Sequence, residues 1–340
     1  MTRKERTAAA LSLKVVDRLP TQVNFTKATR ERFARLLAIA PASLDERLDN
    51  HLCRVDVDSR ETGADGLLYD MWGVGFSTQA EGYLVEYYPL RDSASGSYTW
   101  PDVSRLDFRP VDRAVRDERD GLDRFVVPNQ GFSLFERAWS LYGMEELLVD
   151  LHLEEAKVEA LLESITERQI ALAEAYVAAG VDGGYFGDDL GSQTGLLFAP
   201  DLWRRLFKPR MARMFAVYRD AGLPVILHSD GNIRDIIPDL IDIGLSCLNP
   251  CQPEVLPHDM LAREFGRDLA FYGGVSTQSI LPYDDADAVR TACSRTVSDL
   301  AAAGTGLLFG PSHRLMNDIP DANLLVLAEF IDELGGDDAH

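Results

Sequence analysis

A repeated helix, glycine stop and short apolar run constrains this 340-residue chain more than any other feature. Gly180, Gly222, Gly244, Gly266 and Gly304 each follow a helical pattern and stand a few residues before such a run. Glycine just past a helix end takes the left-handed cap conformation without a Cβ clash. That order of elements, recurring, is the grammar of an α/β chain with parallel strands.

Eight runs read as strands: Gln22–Phe25, Gly66–Asp70, Arg124–Val127, Gly183–Phe186, Pro224–His228, Ser246–Leu248, Leu269–Tyr272 and Gly306–Phe309. Helical patterns lie between most of them, over about Leu153–Ala179, Pro200–Ala221, Asn232–Ile243, Asp284–Ala303 and Asp321–Leu334. The fold expected is α/β, a single (β/α)8 TIM barrel spanning residues 1–340 as one domain, with an N-terminal helical extension. A doubly wound sheet is the rival. It usually carries a glycine-rich phosphate turn after its first strand, and here Gln22–Phe25 leads into Thr26-Lys27-Ala28-Thr29. Between Trp72 and Leu122 aromatic residues, Gly, Ser and Pro crowd together, and Tyr83-Leu84-Val85-Glu86-Tyr87 alternates like a hairpin strand. This stretch is expected to be an aromatic-rich insertion after the second strand, covering the barrel mouth.

Charge narrows the partners. The formal net charge is −21, which argues against sequence-independent binding to nucleic acid or anionic lipid. No apolar run approaches the ~20 residues of a membrane span. The charged start Met1-Thr2-Arg3-Lys4-Glu5-Arg6 lacks a following apolar segment, so a cytoplasmic protein is expected. Cys53, Cys247, Cys251 and Cys293 read as reduced thiols.

In a barrel the C-terminal strand ends share one mouth. Those ends carry Asn24, then Asp70 with Trp72, then Asn129 with Gln130. Asp188, Asp189 and Gln193 come next, then His228 and Asp230, Asn249 with Gln252, Gln278, and finally Ser312, His313 and Arg314. His228, Asp230 and His313 can form a three-ligand metal site. Imidazole nitrogen and carboxylate oxygen suit zinc, and three protein ligands leave a position open for substrate or water. The plainer alternative has His228 bonded to a neighbouring backbone and Asp230 capping the next helix near Ile233. Asp188 and Asp189 can serve as an acid–base pair or orient substrate; alternatively they cap the helix that follows. Cys251 is a further, weaker candidate ligand. His51, His152 and His258 sit in polar surroundings with no special role expected, and Lys208-Pro209-Arg210 reads as a solvated or anion-contacting surface.

Four segments resemble the uroporphyrinogen decarboxylase superfamily, which includes cobalamin-linked methyltransferases. They are Asp188-Asp189-Leu190-Gly191-Ser192-Gln193 with its helix to Lys208-Pro209, Leu227-His228-Ser229-Asp230-Gly231-Asn232-Ile233, Phe271-Tyr272-Gly273-Gly274-Val275-Ser276-Thr277-Gln278, and Pro311-Ser312-His313 followed by Asp318-Ile319-Pro320 and Asn323. Weaker echoes lie at Asp17-Arg18-Leu19-Pro20, Trp72-Gly73-Val74 and Trp100-Pro101-Asp102. True uroporphyrinogen decarboxylases grip porphyrinogen carboxylates with an arginine- and glycine-containing segment near the N-terminus. Gln22-Val23-Asn24-Phe25-Thr26-Lys27 lacks it. The methyltransferase branch usually binds zinc through His-x-Cys and a later cysteine. Here Asp230 stands at the first cysteine's place and His313 falls close to the second, a harder ligand set that suits an oxygen-bearing substrate better than a thiol.

The resemblance implies an enzyme that moves a methyl group between a small methylated substrate and a corrinoid carrier protein (as methylcobalamin) or a folate, assisted by zinc. Catalytic roles fall to Asp188, Asp189, His228 and His313, metal binding to His228, Asp230 and His313, and substrate contacts to Asn24, Asp70, Trp72, Gln193, Gln252, Gln278 and Arg314. Two alternatives stand beside it. One is a metal-free decarboxylase or lyase acting on a carboxylated substrate held by Arg314, Gln252 and Gln278. The other is a non-catalytic corrinoid- or tetrapyrrole-binding protein. A homodimer is one assembly open to the chain.

Overall fold

Seven short parallel strands organise the molecule: β1 (Leu52–Val55), β2 (Phe125–Pro128), β3 (Gly184–Gly187), β4 (Val225–His228), β5 (Cys247–Asn249), β6 (Ala270–Val275) and β7 (Leu307–Pro311). The computed structural model describes residues 1–57, 60–79, 84–92, 98–301 and 306–336. Strands β3 to β7 form one parallel sheet in sequence order, and β1 pairs with β2 in a second. Isolated parallel bridges join these pieces. Gln130 bridges Phe186, and Thr21 bridges both Asn50 and Phe309.

Alternation along β4 shows why such short strands are stable here. Val225 and Leu227 join the main core with the helices, whereas Ile226 faces a second apolar cluster. That second cluster draws on every parallel strand, with Leu52, Phe125, Val127, Tyr185, Ile226, Cys247, Ala270, Tyr272 and Leu308. Leu11, from the N-terminal helix Arg3–Leu11, joins it.

The helices pack outside. Glu155–Ala178 buries Val158, Leu162, Ile165, Leu172, Ala173 and Tyr176, a stripe at three-four spacing. The pattern over Pro200–Ala221 resolves into two helices, Pro200–Leu206 and Lys208–Asp220, with Pro209 in the first turn of the second. Lys208 is not a bare surface cation: it pairs with Asp239 and Asp242, each at 2.8 Å.

Several expectations change. Gly66–Asp70 is not a parallel strand; Leu68–Tyr69 belongs to an antiparallel sheet with Glu61–Thr62, Gly75–Phe76 and Val85–Tyr87. The parallel strand is Leu52–Val55 instead, which Cys53 and Arg54 disguise as a polar loop. Gln22–Phe25 makes only bridges at Thr21 and Phe25 rather than a regular strand. The expected hairpin strand survives as Val85–Tyr87, while Tyr83 lies outside the described residues, as does Gly304. Gly180, Gly222 and Gly244 have φ of +86°, +75° and +103°, but Gly266 caps its helix in the right-handed region at φ −64°. His51 and His258 are buried, His51 among polar partners, with Arg6 at Nε2 and the Asp49 carbonyl and Thr21 amide at Nδ1. All four cysteines are free, and no helix among the described residues is long and apolar enough to cross a membrane.

Candidate metal and substrate site

Register sets the site. Gly187 pairs with His228, and His228 with Asn249, so the ends of β3, β4 and β5 lie level. The amide of Asp188 donates to the His228 carbonyl at 2.9 Å, and that of Ser229 to the Asn249 carbonyl at 2.9 Å. The loop after β4 then crosses the loop after β3 at very close range. Gly231 has φ +81°, and a Cβ there would lie 2.4 Å from the Gly191 carbonyl carbon. Asn232 N donates to the Ser192 carbonyl at 2.8 Å, and Asp230 N to Asp189 Oδ1 at 2.9 Å.

Asn249 determines how His228 presents itself. Its Nδ2 donates to the Tyr272 carbonyl at 3.0 Å, so its Oδ1 must be the acceptor facing His228 Nδ1 at 2.6 Å. The Tyr185 hydroxyl donates to the same oxygen at 2.8 Å. Nδ1 therefore carries the proton, and the Nε2 lone pair points away from the strand. Nε2 lies 3.9 Å from Asp189 Oδ1 and 3.9 Å from Asp230 Oδ1. The His313 ring, arriving at the end of β7, stands 5.8 Å from that of His228. His228, Asp230 and His313 each offer a ligand atom within 4.8 Å of the others. Asp230 does not serve as the cap: Asn232 Oδ1 accepts from Arg234 N at 3.2 Å, and the next helical turn has no side-chain cap.

Burial shifts the groups around this point. His313 is pushed down to about 4, first by burial and then by the charges of His228 and Arg314. Asp189 and Asp230 are both raised by burial, against the pull of His228. Burial thereby favours the neutral form of the His313 imidazole, the form a metal ligand takes.

The adjacent carboxylates part company. Asp188 is fully buried and accepts from Glu136 N at 2.7 Å and Phe135 N at 3.0 Å. It thus caps helix Phe135–Tyr142, which lies before it in sequence rather than after. Burial raises it to about 7 against those two amide bonds. Asp189 instead lines the cavity.

That cavity measures about 460 Å³, and a smaller one of about 210 Å³ adjoins it at His313 and Arg314, which line both. Asn24, Trp72, Asp189 and His228 face the larger space; Asp230, Gln252 and Gln278 face the smaller. Asn24 donates to the Tyr272 hydroxyl at 2.8 Å. Gln252 is buried and its Nε2 has no hydrogen-bond partner. Asp70 lies outside both cavities, in a buried ion pair with Arg137 at 2.6 Å. Gln193 is exposed and lines neither. Cys251 is buried in the main core, apart from the ligand cluster.

Glu136, Arg54 and Tyr185 are among the cavity residues that escape the sequence reading. Glu136 is raised well above the ordinary carboxylate range, first by burial and then by the charges of Asp189 and Asp188. It sits one residue from an apolar helix start, with no motif to mark it. Arg54 and Tyr185 are inward-facing strand positions, which only the correct strand assignment could reveal.

Comparison with known proteins adds lineage. The profile of the family described as Uroporphyrinogen decarboxylase (URO-D) matches residues 128–334. A comparison with curated proteins returns no match. Among solved structures, a methyltransferase from Methanosarcina mazei shares the fold at TM-score 0.75, with 20% identity over 99% of this chain and 100% of that one. A B12-independent methionine synthase from Shewanella sp. W3-18-1, in complex with selenomethionine, aligns at TM-score 0.43 and 14% identity, over 64% of this chain and 66% of that one.

Proposed function

Because the chain belongs to the uroporphyrinogen decarboxylase (URO-D) family, we propose that it is a metal-assisted methyltransferase, moving a methyl group between a small methylated substrate and a corrinoid protein or a folate. The reading treats residues 1–340 as one domain and the parallel segments, with their bridges at Thr21 and Gln130, as one (β/α)8 barrel. The observation that carries it is the convergence of His228, Asp230 and His313 at the meeting point of the two cavities.

The residues fit a zinc ion in their donor chemistry. Two imidazoles and one carboxylate are common zinc ligands, and Asn249 Oδ1 fixes the His228 ring by accepting from Nδ1, leaving Nε2 free to bind. Bound there, zinc supplies Lewis-acid polarisation of the substrate's oxygen. The chain's own groups do the rest. Asn249 and Tyr185 orient His228. Gln252 lines the smaller cavity and ties the loop after β4 to it, accepting from Gly231 N at 3.3 Å. Glu136, its carboxyl pushed up first by burial and then by the Asp189 charge, is the group placed to hold or pass on a proton. Trp72 and Phe132 wall the larger cavity and limit water.

Metal analysis of protein purified without chelator tests the reading, with His228→Ala alongside. Near-stoichiometric zinc in the parent and its loss in a folded variant is the expected result, followed by methyl transfer from methylated donors to cobalamin. No metal in either protein overturns it in favour of the decarboxylase alternative.

A further inference from the structure

Arg54 differs from Arg30 and Arg137, two other arginines of the larger cavity. It shares its strand face with Leu52, which belongs to the interior apolar cluster, while Val55 belongs to the outer core. Arg54 thus projects inward, one pleat nearer the cavity than Leu52. Its guanidinium lies over the Tyr185 ring, 4.3 Å from the centroid. Its hydrogen-bond partner is the neutral amide oxygen of Asn129.

Those two arginines have carboxylate partners. Arg137 pairs with Asp70 at 2.6 Å and Arg30 with Asp45 at 3.1 Å. Among the described residues Arg54 forms no ion pair, although it is exposed to the cavity. Asp56, just past the end of β1, accepts from the other end of the Asn129 amide at 2.9 Å. Asn129 therefore separates the two charges instead of letting them pair.

We infer that the larger cavity takes a carboxylate-bearing substrate, whose carboxylate is received by Arg54 while its methylated end reaches His228 and His313. The inference rests on the methyltransferase reading for the site of reaction and names the substrate class for that site. An arginine suits the task because its planar fork meets a carboxylate with two parallel hydrogen bonds. Tyr185 beneath it fixes the plane of the fork. The same Tyr185 hydroxyl bonds Asn249, which bonds His228, so one rigid stack positions both ends of the substrate. The rings of Phe25, Trp72, Phe132 and Tyr176 line the same cavity. A chain of net charge −21 repels a free acid at long range, so a dedicated cation in the cavity is what retains one.

Calorimetric titration of the metal-loaded full chain with methoxyacetate, benzoate and 4-methoxybenzoate tests this, with the matching neutral amides as controls. At least one carboxylate is expected to bind and its amide to bind at least about tenfold more weakly. Arg54→Gln should weaken the carboxylate about 10- to 100-fold and leave the amide unchanged, and Arg54→Lys should recover part of the loss. Unchanged thermal midpoints confirm that both variants fold. Equal affinity for acid and amide, indifference of the acid to Arg54→Gln, or no binding by any carboxylate overturns the inference. The two readings fail separately. A carboxylate that binds through Arg54 but never yields its methyl group removes the methyltransferase and keeps the anion site. Methyl transfer from neutral donors that ignores Arg54→Gln does the reverse.

Discussion

The lower and upper levels of the parallel strands face the same interior with opposite chemistry. Lower down, Leu52, Val127, Ile226 and Cys247 pack together with Leu11. Two residues further along the same strands stand Arg54, Asn129, His228 and Asn249, all lining the larger cavity. One pleat, about 7 Å of strand, separates a sealed apolar layer from a ring of polar groups. The lower layer is stabilised by burial; the upper leaves donors and lone pairs directed at open space. Side chains that contribute little to folding can therefore be concentrated at the mouth, because the layer below supplies the stability.

His228→Ala tests this division most severely. It should abolish metal binding and lower turnover by about a thousandfold, roughly 4 kcal/mol in the transition state, while unfolding in urea shifts by less than about 1 kcal/mol. A large loss of stability would mean that the mouth also holds the fold together. Two positions earlier, Ile226→Ala should show the reverse, costing about 2–5 kcal/mol by leaving a cavity in the lower layer. Denaturant titration beside a metal assay reads both effects, and preserved stability would break the comparison from the other side.

A pair of histidines sharpens it. His51 is fully buried near the lower level, and burial, outweighing the Asp49 charge, pushes it to about 4. Between its ordinary 6.5 and about 4, the unfolded chain takes up a proton that the folded chain refuses. Stability therefore falls as pH falls through that window, by up to about 3 kcal/mol. Urea unfolding at several pH values should show this slope, and His51→Gln should flatten it. An unchanged slope would remove His51 from the account.

Smaller effects follow. Asn249→Ala should weaken zinc binding about 10- to 100-fold, since it frees the His228 ring, with competition against a chelator as the measurement. Asp188→Asn keeps one of two amide acceptor bonds to the helix at Phe135 and should cost about 1 kcal/mol. Asp189→Asn, by contrast, should leave stability level and reduce turnover, which comparison of the two variants by thermal melting and assay will show.

Legibility differed along the chain for a physical reason. The strand ends at His228, Asp230 and His313 were readable because an apolar run stopping in polar residues marks a strand whose end faces a site. Leu52–Val55 was not, since Cys53 and Arg54 interrupt the apolar pattern and the strand is held by neighbours on both sides. Missing that strand concealed Arg54. Glu136 was hidden differently: its displaced ionisation comes first from burial and then from Asp189 and Asp188, more than fifty positions away in sequence.

Periodicity, glycine stops and motif order were enough by themselves to determine the α/β class, the family and the candidate metal ligands, because these depend on local backbone preference and on residues that must occur in a set order. Tertiary structure alone decided which of two adjacent aspartates caps a helix and which faces the cavity. It also decided which ring nitrogen of His228 carries its proton and that Arg54 lies over the Tyr185 ring in the cavity. Those properties are set by distances between strands remote in sequence, and electrostatic energy depends on such distances rather than on order along the chain.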